Sequence, residues 1–166
     1  FDNARAPAYR LIGGQHACCA ASISNCLAWR VKLAIMPDMS APLAEEASLE
    51  YTRQREAFGR HLAGYQVTRH KLVDMATQID VAREYTYRCA ALMQAGKNPI
   101  KEVAMAKNFS VDVCEKVTRE AVQLFGGMGY MRETVVERLY RDTKILSIGG
   151  GTTEIMKELI AKQIKL

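Results

Sequence analysis

Leu72, Met75, Ile79, Ala82, Thr86, Cys89 and Met93 follow one another at alternating steps of three and four. That seam is what a helix needs to bury one stripe against nearly parallel neighbours. The helix begins near Gln66, and Gly96 closes it. Asn98 then offers an N-cap oxygen and Pro99 suits the first helical position, so another helix opens at once. Its inner stripe is Val103, Ala106, Ser110, Val113, Val117, Ala121 and Leu124, ending at Gly126. Two long helices joined by about four residues must run antiparallel, which commits the chain to a helical bundle.

The remaining segments fit that frame. A first helix is expected from about Ala20 towards Phe58, carrying Ile23, Leu27, Val31 and Ala34 on one side. Pro37 and Pro42 interrupt it, and because proline removes a backbone donor and clashes with the preceding turn, a bend or break is expected there. Helical character resumes at Leu43 and ends at Phe58-Gly59. A shorter amphipathic segment spans Thr134 to Leu146, and a last helix starts at Thr152 or Thr153 with Ile155, Leu159 and Ile160 on one side. Residues 1–14 have too few periodic apolar positions for a helix and read as an extended remnant of a preceding β-domain; residues 15–166 form the bundle domain. The fold expected is all-α, an antiparallel four-helix bundle after a short extended N-terminal segment.

Composition excludes several classes. With 49% hydrophobic residues the chain can bury a sizeable core. Cys18, Cys19, Cys26, Cys89 and Cys114 are odd in number and lack ligand spacing, which points to reduced thiols in a cytosol-like compartment, cytoplasmic or the mitochondrial matrix. No apolar run is long enough to span a bilayer. The net charge of +5 comes from basic residues interspersed with acids, so a solvated surface is expected rather than nucleic-acid binding. His16, His61 and His70 are scattered and give no metal site. No serine sits in a GxSxG elbow, and the Gly149–Thr153 loop lacks the lysine of a phosphate-cradling P-loop.

What remains is glycine. Gly126, Gly127 and Gly129 form one cluster and Gly149, Gly150 and Gly151 another, each where one helical pattern stops and the next begins. They serve as caps and turns, or as places where backbone approaches a ligand. Arg55 and Gln123 stand close to these bends.

Several segments taken together resemble the C-terminal part of the acyl-CoA dehydrogenase family. FDNARAP resembles the strand leaving that family's middle domain, and YTRQREAFGR followed by Gln66 resembles its flavin-contacting signature. QLFGGMGY, RLYRDTKI and GGGTTEIMKELIAK resemble its closing motifs in order and spacing, and EIMKELIA is most similar to members acting on longer acyl chains.

The resemblance implies an FAD enzyme that removes a proton from the acyl α-carbon of an acyl-CoA and passes a hydride from the β-carbon to the flavin. Its electrons then leave through an electron-transfer flavoprotein. Carried over by motif, Arg55, Phe58 and Gln66 belong to the flavin-contacting signature, the first two facing the FAD of a neighbouring subunit. Gln123, Gly126 and Gly127 would approach that cofactor's adenosine part. Thr152 and Glu154 would face the FAD of their own subunit, and Arg30 and Gly151 the acyl-CoA. A shared cofactor implies a homodimer or homotetramer. The chain departs from the family at the catalytic base. The glutamate usual before the Gly-Thr of the last motif is Gly150, and the alternative position on the first helix is Trp29. Neither side chain can accept a proton, so the resemblance leaves the base unassigned, with Glu154 the nearest acid in sequence. A module that retains binding and has lost dehydrogenation is the other reading.

Overall fold

The computed structural model describes residues 2, 3, 5–10 and 18–166, with side chains of the first helix from Cys26 onward. The expectations for residues 11–14, for His16, and for the side chains of Cys18, Cys19 and Ile23 lie outside the described residues. Five helices account for most of the rest: α1 (Cys18–Gln54), α2 (Gln66–Gln94), α3 (Ile100–Phe125), α4 (Val135–Thr143) and α5 (Thr153–Gln163). Within residues 5–10, Ala8–Arg10 make a 3₁₀ turn in which the Arg10 amide donates to the Pro7 carbonyl at 3.0 Å.

The antiparallel bundle is present. α1, α2 and α3 pack on one another, α4 supplies a shorter fourth helix against α1 and α3, and α5 lies on α3. The expected stripes on α2 and α3 are buried, Met93 and Leu124 being half-buried at their ends. α3 buries more than one stripe, because Ala104, Lys107, Val111, Cys114 and Thr118 are inside as well. It is the axial helix, touching α1, α2, α4 and α5. The main core joins Ala41 and Ala44 of α1 to Leu72, Met75 and Ile79 of α2, Val113, Val117 and Ala121 of α3, and Val136 of α4. A second cluster gathers Leu27, Val31, Cys89, Val103 and Ala106.

Several boundaries differ from the sequence reading. α1 does not break at its prolines; it is helical throughout from Cys18 to Gln54, with Pro37 fully buried. Each internal proline costs about 3 kcal/mol. Burying large apolar side chains contributes roughly 1.5–3 kcal/mol apiece. Leu27, Val31 and Leu33 are all buried along α1, enough to offset both prolines. α1 also stops at Gln54 rather than Phe58, and a hairpin follows, β1 (Glu56–Ala57) pairing antiparallel with β2 (Arg60–His61). Phe58 and Gly59 at its tip have φ of 53° and 80°, the two positive values a type I′ turn requires. α3 begins one residue later than expected, with Pro99 rather than Asn98 preceding its first turn and no side-chain cap. On α5 the inward residues are Met156, Leu159 and Ile160, while Ile155 is exposed.

Gly96 ends α2 as expected. At φ of 72° it lets its own amide reach the Met93 carbonyl at 2.9 Å while Lys97 reaches Leu92 at 3.1 Å, the paired bonds of a Schellman motif. One face of α1 stays uncovered, where Trp29, Ile35, Met36, Met39 and Leu43 are exposed. Among the described residues no helix is long and apolar enough to cross a membrane.

Candidate functional site

The candidate residues fall into two groups. The first lies where α1 ends and α3 ends. Tyr51, one turn before Arg55, stacks on Phe125 with ring centroids 4.1 Å apart and an interplanar angle of 12°. Its hydroxyl donates to the Phe125 carbonyl at 3.3 Å. This contact brings the hairpin after α1 and the Gln123–Gly127 turn to the same end of the bundle. The hairpin is held by backbone bonds from Arg55 to Tyr51 and from Leu62 to Arg55, both 2.8 Å. The Tyr65 hydroxyl donates to the Ala57 carbonyl at 2.7 Å, and the Arg60 guanidinium covers the Tyr65 ring at 3.8 Å.

These bonds fix the tip that carries Phe58, whose ring is 98% exposed. An apolar ring on a left-handed, non-glycine residue, fully in solvent, is unfavourable on both counts. Arg55, Gln66 and Gln123 are exposed as well. Gly126 has φ of 60°, and a Cβ added at Gly126 or Gly127 would meet nothing within 4 Å, so this backbone is open to approach. Gly129 serves the fold instead, since a Cβ there would come within 2.5 Å of the Val122 carbonyl oxygen.

The second group surrounds the loop between α4 and α5. Lys107 and Gln123 are about 24 Å apart along α3 at about 1.5 Å per residue, so the two groups are separate places. Gly150 and Gly151 take φ of 66° and 103°, reversing the chain into α5. Thr152 caps that helix, its hydroxyl accepting from the Ile155 amide at 3.3 Å. Arg30 Nε donates to the Gly150 carbonyl at 3.4 Å, Lys107 Nζ to the Gly151 carbonyl at 2.8 Å, and Asn108 Nδ2 to the Thr153 carbonyl at 3.0 Å. Arg30, Gly151, Thr152 and Glu154 are thereby brought together. A cavity of about 310 Å³ beside them is lined by Asn108, Ser147, Thr152 and Glu154 among others. A larger groove of about 1080 Å³ between α3 and α4 holds none of the candidate residues. Chemistry therefore favours the smaller space.

Gly150 and Trp29 are neighbours. A Cβ built on Gly150 would lie 3.3 Å from Trp29 Cδ1 and would overlap Leu33 Cδ1 outright. A side chain on residue 150 thus requires the end of the Leu33 side chain to shift. Glu154 is exposed, and bonds from its own backbone amide, then from the Thr152 hydroxyl, hold its carboxyl below the usual range. That makes it a poorer proton acceptor near neutrality. Asp38 is buried, and burial pushes its carboxyl up to about 6 despite the Thr86 hydroxyl and the Arg83 charge. It faces α2, however, and stands more than two turns along α1 from Trp29. Among the described residues no cluster of His, Cys, Asp or Glu could hold a metal ion.

Lys107, Asn108 and Asp38 were not singled out from the sequence. A signal existed for Lys107, which falls beside Val103, Ala106 and Ser110 in the inward phase of α3, where a lysine is rarely found.

Comparison with known proteins gives the family. The family description "Acyl-CoA dehydrogenase, C-terminal domain" matches residues 20–165. An acyl-CoA dehydrogenase of Bacillus subtilis (strain 168) is 39% identical over 164 residues, 99% of this chain and 43% of that protein. The mitochondrial long-chain specific acyl-CoA dehydrogenase of Rattus norvegicus is 34% identical, covering 99% of this chain and 38% of its own length. The crystal structure of a probable acyl-CoA dehydrogenase from Mycobacterium abscessus superposes with a TM-score of 0.92 at 47% identity, over 96% of this chain and 43% of that one. The chain spans less than half the length of these relatives. With the family description covering nearly all of the bundle, this chain belongs to the acyl-CoA dehydrogenase family and corresponds to its C-terminal domain.

Proposed function

We propose that this chain is the C-terminal domain of an FAD-dependent acyl-CoA dehydrogenase. The observation that carries the reading is the division of the candidate residues into two groups at separate places on one bundle, as a cofactor shared between subunits requires. The residues fit such a group. Arg55 offers an exposed guanidinium suited to a pyrophosphate, Phe58 an exposed ring suited to a planar partner, and Gly126 and Gly127 leave open backbone. Gln66 and Gln123 add exposed amide groups at the same end. When bound, FAD supplies the hydride acceptor.

In this reading the first group holds the FAD of a neighbouring subunit, Gln123, Gly126 and Gly127 meeting its adenosine part. Thr152 and Glu154 face the FAD of their own subunit. Arg30 and Gly151 lie towards the acyl-CoA, and the uncovered apolar face of α1 suits burial in a homodimer or homotetramer. An electron-transfer flavoprotein takes the electrons. The compartment is cytoplasmic, or the mitochondrial matrix in a eukaryote.

One observation favours a second reading, a binding or oligomerisation module without dehydrogenase chemistry. Trp29 and Leu33 fill the space where a carboxylate on residue 150 would begin. α-Proton removal needs a group that can accept a proton, and neither position supplies one. The two readings separate in one experiment on the full-length protein. A visible flavin spectrum bleached anaerobically by a long-chain acyl-CoA supports the dehydrogenase. Bound flavin that no acyl-CoA bleaches supports the binding module, and full-length protein without flavin overturns the first reading.

A further inference from the structure

We infer that Lys107 and Asn108 are positioning residues that set the direction of the Gly149–Thr153 loop and hence the placement of Thr152 and Glu154; this rests on the reading that those two residues face FAD. Lys107 is 0% exposed although it is a lysine in the axial helix of the bundle. Its ammonium donates to the Gly151 carbonyl, and among the described residues no carboxylate forms an ion pair with it. Burial, then the nearby Arg30 charge, draws its proton affinity down against the weaker opposing pull of Glu154 and Glu115. Burying an ammonium without a carboxylate partner is costly, and an apolar side chain of similar volume would stabilise the bundle as well or better. Packing therefore gives no reason for a lysine at this position; the Gly151 carbonyl does.

The loop needs such an anchor. Gly150 and Gly151 both sit at positive φ, and glycine gives up more conformational freedom than other residues when fixed. Three donors from two helices meet carbonyls 150, 151 and 153. Because a trans peptide sets its carbonyl opposite the next amide, fixing carbonyls 150 and 151 also fixes the amides of Gly151 and Thr152. Asn108 then fixes the first peptide of α5 through Thr153. The result is that α5 starts at one register, with the Thr152 hydroxyl on the Ile155 amide and Glu154 in the first turn.

The test uses the full-length protein with Lys107→Met, which keeps an unbranched chain one atom shorter and removes the donor, and Asn108→Ala, a half-buried site that spares the core. Three quantities are read: amide exchange of peptides covering 147–155 and 66–94, FAD affinity of the apoprotein by fluorescence, and the thermal midpoint. In both variants exchange in 147–155 is expected to rise at least tenfold with 66–94 unchanged, and FAD affinity to fall at least tenfold. The K107M midpoint is expected to hold or rise. A merely structural lysine would lower the midpoint and raise exchange in both peptides, and that result overturns the inference. Unchanged loop exchange in both variants overturns it too. Wild-type protein that binds no FAD overturns the functional reading instead, while the exchange measurement still decides whether the loop is anchored.

Discussion

Trp29 and Gly150 face each other across the loop, the indole Cδ1 lying 3.3 Å from where a side chain on residue 150 would start. The two residues therefore share one small space. A glutamate at 150 would have to displace the end of the Leu33 side chain and hold a left-handed backbone.

Gly150→Glu is accordingly expected to destabilise the protein by about 2–4 kcal/mol, from overlap with Leu33 and a positive φ of 66°. Leu33→Ala in the same chain removes the overlapping atom. Urea unfolding of the two single variants and the double variant should give a double-variant loss smaller than the sum of the singles. Strict additivity would mean that the two side chains do not compete.

Asp38 gives the bundle a pH dependence. Its folded pKa of about 6 lies above the ordinary carboxyl value of 3.8, so the folded state holds the proton more tightly. The associated stability is fully present below about pH 4 and is lost as pH rises through 6. Asp38→Asn should remove that slope and make the protein more stable than wild type at pH 7 by roughly 2–3 kcal/mol. Denaturation at a series of pH values checks it; parallel curves for wild type and variant would refute the assignment.

The Tyr51–Phe125 stack should show as an energetic coupling of about 1 kcal/mol in a cycle of Tyr51→Leu and Phe125→Leu. Tyr51→Leu alone should also loosen the hairpin at 55–62, read as faster amide exchange there.

Phe58 should matter for binding and not for folding. Its ring is 98% exposed and its backbone is left-handed, so Phe58→Gly is expected to raise stability by about 1 kcal/mol. If the exposed ring serves a cofactor, the same variant lowers FAD affinity in the assembled protein. Unchanged affinity would remove Phe58 from the site.

Much of the architecture could be read from the chain, for identifiable reasons. α2 and α3 each carry a long unbroken apolar stripe, α3 with further buried positions beside it, and the connection between them is short and well punctuated by Gly96 and Pro99. α1 was harder because its prolines have a strong local preference, while the burial that outweighs them comes from residues far away in sequence. The hairpin after α1 escaped notice because strands of two residues have no periodicity, so the Phe58-Gly59 turn resembled a helix end. The site was legible only as motifs. The two glycine clusters could be located, but the donors that anchor the second lie on α1 and α3, and nothing local in the loop announces them.

Those donors stand 120, 44 and 45 residues from the carbonyls they hold. Contacts that distant in sequence form only after the intervening chain has closed. The loop can therefore take its conformation only once α1 and α3 have docked, which makes the glycine turn a late product of folding. In refolding, helical signal should return before the loop's amides become protected, leaving an interval in which the bundle exists without its site.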